Sequence, residues 1–124
     1  MKQVFVVEDN KKNMKLFKAI LNLIDNIEVH EATRGDEGLE AIESTETVPD
    51  LIILDIQLPE ISGIEICKKL REQEEYEDVI MIAVTSFAMK GDKERIMSAG
   101  FDEYISKPIK VADFRALIES YLSD

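Results

Sequence analysis

The chain has 124 residues, enough for one domain with a real core, and 45% of them are hydrophobic. Acidic residues outnumber basic ones 26 to 15, a net charge of -11 at pH 7. That field repels nucleic-acid phosphates, so direct nucleic-acid binding is not expected, while divalent cations and basic partner surfaces suit it. The single Cys67 forms no internal disulfide, which favours a reducing, cytoplasmic setting. No stretch approaches the roughly 20 apolar residues that span a bilayer, so no membrane insertion is expected. Met1-Lys2-Gln3 enters a strand pattern directly, with no signal peptide.

Five apolar runs read as strands: Gln3–Val7, Ile27–Glu31, Leu51–Asp55, Ile80–Thr85 and Glu103–Ser106. A helical pattern follows each. The first carries Met14, Phe17, Ile20, Leu21 and Ile24 at helical spacing, with Asn10 as its cap. The second runs from about Gly35 to Glu43, with Leu39 and Ile42 inward. The third starts near Ser62-Gly63 and carries Ile66, Cys67 and Leu70. The fourth starts near Lys90-Gly91-Asp92, carries Ile96 and Met97, and stops at Gly100, a natural C-cap. The last begins near Val111 and carries Phe114, Leu117, Ile118 and Leu122. Strict alternation of strand and helix predicts an α/β fold, a five-stranded parallel sheet doubly wound in the order 2-1-3-4-5. Residues 1–124 form a single domain in this reading, with no repeat, linker or room for a second.

The carboxyl ends of these strands carry the chemistry. Val4-Phe5-Val6-Val7 runs into Glu8-Asp9, and Leu51-Ile52-Ile53-Leu54 ends in Asp55. In the predicted order the first and third strands are neighbours across the switch point, where open α/β sheets place their ligands. Three carboxylates converge there, and such a cluster needs a cation or a shared proton. Thr85 adds a hydroxyl and Lys107, followed by Pro108, an ammonium. Each residue alone has a bland reading, since Asp at a strand end is often a cap or turn former. Together they describe a site for a metal ion and a phosphoryl group.

The stretches Val7-Glu8-Asp9-Asn10, Leu54-Asp55-Ile56-Gln57-Leu58-Pro59, Ser62-Gly63, Ala83-Val84-Thr85-Ser86 and Tyr104-Ile105-Ser106-Lys107-Pro108 resemble, as a set spanning the chain, the response-regulator receiver domain of two-component signalling. Phe87-Ala88-Met89-Lys90-Gly91-Asp92 resembles its single-domain members of the DivK-like or chemotaxis-regulator-like kind. The resemblance implies that Asp55 is the phosphoacceptor. It implies Mg²⁺ (or Mn²⁺) on Asp9, on Glu8 directly or through water, on Asp55 and on the backbone carbonyl of Gln57. Thr85 and Ser86 would bond phosphoryl oxygens, and Lys107 would pair with the phosphoryl group. Tyr104 would be an aromatic switch coupled to Thr85, and the Lys107-Pro108 bond would be cis. Phe87, Met89 and Tyr104 would face partners. The implied donor is a sensor histidine kinase or a histidine phosphotransfer protein. The output is a downstream effector protein or the next relay step, without enzymatic turnover or an output domain in this chain. Ser62 stands where the family commonly has Asp, and Glu8 where Asp is commoner.

Two other classes fit less well. An aspartate-nucleophile phosphatase wants a second acid two residues past Asp55, where this chain has Gln57. A flavodoxin-like cofactor binder needs a hydroxyl- and glycine-rich loop after the first strand, and the anionic Glu8-Asp9-Asn10 there would repel a flavin phosphate. His30 reads as a surface or packing residue and Cys67 as core. Met97 reads as core or partner-facing. Glu72, Glu74, Glu75, Glu77 and Asp78 read as a solvated helix end.

Overall fold

The computed structural model describes residues 1–86 and 90–122. Strands β1 (Lys2–Val7), β2 (Ile27–Ala32), β3 (Leu51–Asp55), β4 (Ile80–Thr85) and β5 (Glu103–Ser106) alternate with helices α1 (Lys11–Leu21), α2 (Gly35–Glu43), α3 (Gly63–Arg71), α4 (Lys90–Ser98) and α5 (Val111–Leu122). All strand pairs are parallel and the sheet order is β2-β1-β3-β4-β5, as the alternation predicts.

Because side chains alternate across a strand, the sheet divides the core in two. Val4, Val6, Leu51, Ile53, Ile82 and Val84 face α1 and α5, where Phe17 and Phe114 meet at 5.2 Å between ring centroids. Phe5, Val7, Ile52, Leu54, Met81 and Ala83 face Ile42 of α2, Ile66, Cys67 and Leu70 of α3, and Ile96 of α4. Each fully buried large side chain contributes about 2 kcal/mol.

Local chemistry sets the helix starts. Asn10 accepts from Asn13 N–H at 3.1 Å, and Ser62 accepts from Glu65 N–H at 3.2 Å. The first turn of α1 is unusual: it holds Lys11 and Lys12 and no acid. A cation at that end opposes the helix dipole at about 0.3–1 kcal/mol each.

The acidic run after α3 is solvated as the sequence suggests, with Glu72, Glu74, Glu75, Glu77 and Asp78 exposed and Glu72 closing α3, but it also holds a turn that the sequence does not announce. Glu74–Tyr76 forms a 3-10 turn whose Tyr76 ring is buried and whose hydroxyl donates to the Ile42 carbonyl at 3.2 Å. Half-buried Arg71 ties this turn down. Its guanidinium donates to the carbonyls of Gly100 (3.0 Å), Tyr76 (2.7 Å) and Glu77 (3.0 Å) and to Asp102 (2.9 Å). Gly100 sits at φ +115°, and a Cβ there would lie 2.8 Å from Arg71 Cγ, so both backbone and space call for glycine. No helix among the described residues is long and apolar enough to cross a membrane.

Candidate functional site

Only three polar or charged residues are buried among the described residues: Glu8, Asp55 and Thr85. All three lie at the carboxyl edge of the sheet. A core that excludes polar groups everywhere else marks this edge as the site, because each buried polar group is costly unless it is satisfied.

The strands position them. Asp55 is the last residue of β3 and pairs with Val84 in register, while Thr85 on β4 pairs with Ser106 on β5. The Lys107 N–H donates to the Thr85 carbonyl at 2.8 Å, fixing the start of the Lys107-Pro108 segment, whose peptide bond is cis. From there Lys107 Nζ reaches back to Asp55 Oδ2 at 2.9 Å and Glu8 Oε1 at 3.2 Å. The other oxygens are held by backbone: Gln57 N–H donates to Asp55 Oδ1 at 2.9 Å, and Asn10 N–H to Glu8 Oε2 at 3.1 Å. Sequence reasoning missed these two donors. Each lies two residues past its acid, the offset at which Asp and Asn side chains bond their own backbone in turns, which is the signal that points to them.

The cluster is electrostatically unsatisfied. Glu8 Oε1 lies within ion-pair range of Lys107 but out of hydrogen-bond alignment, and it is the buried side-chain oxygen left without a hydrogen-bond partner. Burial, and then the neighbouring Asp55 carboxylate, push the Glu8 carboxyl up to about 7, so near neutrality it holds a proton part of the time. Burial opposes the charge on Lys107, but its bond to Asp55 and the charges of Asp55 and Glu8 outweigh that and hold its ammonium above the usual lysine range. Glu8, exposed Asp9 and Asp55 each offer a carboxylate oxygen within 4.8 Å of the others. An orphaned buried oxygen beside two more carboxylates is an oxygen-rich donor set suited to a hard divalent cation. The residues present therefore fit a metal ion.

The remaining expected residues lie around this cluster. Ser86 is exposed just past Thr85. Tyr104 is half-buried against the α2–α4 core, with Lys93 Nζ 5.7 Å from its ring centroid. Phe87 and Met89, expected on the partner-facing surface, lie outside the described residues. His30 packs on Phe5 and bonds Gln3 at 2.7 Å, away from the site, Cys67 is buried and inert at a thiol pushed up to about 11 by burial, and Met97 is exposed.

The loop after Asp55 is pinned. The Gly35 N–H donates to the Pro59 carbonyl at 3.3 Å, and Gly63 N–H to that of Ile56 at 3.1 Å. A Cβ on Gly63 would lie 2.3 Å from the Asp55 carbonyl oxygen, so the start of α3 presses directly on the acceptor strand's end.

Comparison with known proteins gives a consistent answer. A family model described as the response regulator receiver domain matches residues 4–119. The polar-differentiation response regulator DivK of Brucella ovis is 50% identical over 124 residues, covering 99% of this chain and 98% of its own. The receiver domain of a sensor histidine kinase from Pseudomonas aeruginosa PAO1, solved with a magnesium ion coordinated in its active-site cleft, is 28% identical at a TM-score of 0.86, covering 99% of this chain and 98% of that one. A CheY-like receiver domain protein from Methanospirillum hungatei is 29% identical at a TM-score of 0.85, covering 97% and 92%. A doubly wound sheet whose three buried polar groups gather at one carboxyl edge, and a match across nearly the whole sequence, place the chain in the response regulator receiver domain family, the phosphoacceptor modules of two-component signalling.

Proposed function

We propose that the chain is a phosphoacceptor switch that takes a phosphoryl group onto Asp55 from a phosphohistidine of a sensor kinase or a phosphotransfer protein. The observation that carries this is Asp55 itself. It is a carboxylate 2% exposed at the end of a wholly buried strand, held by a backbone N–H on one oxygen and a lysine on the other. An Asp55 oxygen attacks phosphorus, the phosphorus–nitrogen bond to the donor imidazole breaks, and its electron pair stays on that imidazole. Lys107 is already seated within the charge it must balance and follows the negative charge onto the phosphoryl oxygens, where Thr85 and Ser86 offer hydroxyls. Little covalent chemistry is asked of the protein; positioning and electrostatics supply the rate. Glu8, Asp9, Asp55 and the Gln57 carbonyl are the residues that would hold Mg²⁺. When bound, that ion neutralises the anionic oxygens of nucleophile and phosphoryl group together.

The product is a labile acyl phosphate, suited to a transient signal to an effector protein or the next relay step. The near-complete mutual coverage with the Brucella response regulator supports reading the chain as a receiver of the same kind. Tyr104, half-buried beside β4, is the aromatic group that would take up space vacated when the Thr85 hydroxyl moves toward the phosphoryl oxygens. The test is labelling with acetyl phosphate and Mg²⁺. The wild type takes up one phosphoryl group and Asp55→Asn loses most of it, since an amide is a poor nucleophile. Undiminished labelling of the variant would move the acceptor elsewhere.

A further inference from the structure

Two residues beside the site break local rules, and they meet. The first is Arg34. Helices α1 and α3 start on side chains that accept a backbone N–H, Asn10 and Ser62, while α2 starts on Arg34, which makes no such cap. That position favours Asn, Asp or Ser, and a cation there opposes the helix dipole. The second is Glu60, at φ +72°. Across it the Ile61 N–H closes on the Pro59 carbonyl at 2.9 Å, a γ-turn of the rare, strained hand that suits glycine. Arg34 Nη2 lies 3.5 Å from Glu60 Oε1. Bracing α2 alone does not account for both. The Arg34 guanidinium does donate to the two Asp36 oxygens at 3.1 Å, but nothing in that contact calls for Glu60 in a strained turn. Residues that break local rules are where function is to be sought.

Their meeting bears on the segment between Asp55 and α3. That segment carries the Gln57 N–H on Asp55 Oδ1 and the Gln57 carbonyl, one of the groups that would hold Mg²⁺. Its base is closed by the Gly63 N–H on the Ile56 carbonyl. Its tip is gripped from the β2–α2 junction. The Gly35 N–H donates to the Pro59 carbonyl, and Gly35 lies so close to the Ile61 carbonyl that a Cβ would collide with it. The Arg34–Glu60 pair adds a charged clasp three residues from Gln57. We infer that Arg34 is a positioning residue for the Asp55 chemistry: through Glu60 it holds the turn so that the Gln57 carbonyl is in place before a divalent cation binds. This rests on the reading of Glu8, Asp9, Asp55 and Gln57 as the metal-holding set. A ligand ordered beforehand costs less to order on binding. The two side chains are 46% and 58% exposed, so the effect is that of a surface ion pair, a few-fold in affinity. Charge alone gives the opposite sign, since deleting a cation near a cation site relieves repulsion and tightens binding.

The test is Mg²⁺ titration calorimetry on the full chain at fixed ionic strength, with melting temperatures measured in EDTA. Arg34→Ser removes the clasp and supplies a cap. It binds Mg²⁺ about three- to fivefold more weakly than wild type, and it melts at or above the wild-type temperature. Glu60→Gln weakens binding by a similar factor, and the double variant goes no further, because both changes break one contact. Arg34→Lys keeps the charge and most of the affinity. With acetyl phosphate as donor, Arg34→Ser needs about three- to fivefold more Mg²⁺ for half-maximal labelling and reaches the wild-type rate at saturation. Unchanged or tighter Mg²⁺ binding by Arg34→Ser overturns the inference, as do additive losses in the double variant. Weaker binding together with a lower melting temperature also overturns it, making Arg34 a brace of the fold. If wild-type Asp55 takes no label while the calorimetry runs as expected, the acceptor reading fails and the clasp is upheld. A wild type that binds no Mg²⁺ sinks the clasp.

Discussion

At the scale of single residues, Glu8 and Lys107 set the behaviour of the metal-free protein. The folded-state Glu8 carboxyl sits near 7 against an ordinary 4.5, so the fold binds this proton more tightly than the unfolded chain does. Its contribution to stability is fully present below about 4.5 and is lost as pH rises through about 7, an effect on the order of 3 kcal/mol. With EDTA present, wild-type denaturation free energy therefore falls across that window and Glu8→Gln lacks that component; identical slopes in the two proteins would refute it. Lys107 occupies the same oxygens that would take a divalent cation. Lys107→Ala should tighten Mg²⁺ binding about tenfold by calorimetry, and cost about 3 kcal/mol of metal-free stability, because a buried carboxylate loses its partner. Unchanged Mg²⁺ affinity would show that the lysine does not compete. The sequence exposes the membership of this cluster, since each acid ends an apolar run. It does not reveal which of the adjacent Glu8 and Asp9 is buried. That is decided by Lys107, 99 positions further on, and by turn geometry at Asn10, which no local pattern encodes.

At the scale of elements, α1, α2 and α3 follow their periodicity closely because each buries an apolar stripe, and Asn10 and Ser62 cap the starts of α1 and α3. The exception is instructive. Glu74–Tyr76 hides in an acidic run because a three-residue turn has no period, and its single buried ring is fixed by a carbonyl on α2. The Arg71 hub was equally invisible, since three of its four partners are backbone carbonyls that any sequence supplies and the fourth, Asp102, lies 31 positions away. Two glycines locate the loop after Asp55. Gly63→Ala forces its Cβ onto the Asp55 carbonyl, so the strand end or α3 must move. Overpacking of this kind costs about 1–3 kcal/mol, and the displaced carboxylate should slow acetyl phosphate labelling as well. A melt that loses stability while labelling stays at the wild-type rate would mean that α3 gives way and β3 holds.

At the scale of the whole molecule, a net charge of -11 makes the chain repel itself, and any cation relieves some of that. Specific Mg²⁺ binding is separated from screening by matching ionic strength with NaCl. At ten times its dissociation constant Mg²⁺ adds about 1.4 kcal/mol beyond NaCl, and Asp9→Asn removes that increment. An equal gain from both salts would leave no metal site to explain. Parallel topology was legible because alternation and right-handed crossovers leave few choices.

The sheet that separates the two cores also acts as a partition between two histories of change. Among the described residues, no side chain is shared between the cluster under α1 and α5 and the cluster under α2, α3 and α4. Substitutions on opposite sides, such as Phe17→Leu with Ile66→Val, should therefore add in stability to within about 0.5 kcal/mol. A duplicated gene can then drift along α1 without disturbing the packing around Tyr104, and drift around Tyr104 without disturbing α1. The two faces can be remodelled one at a time, each step passing through a folded protein.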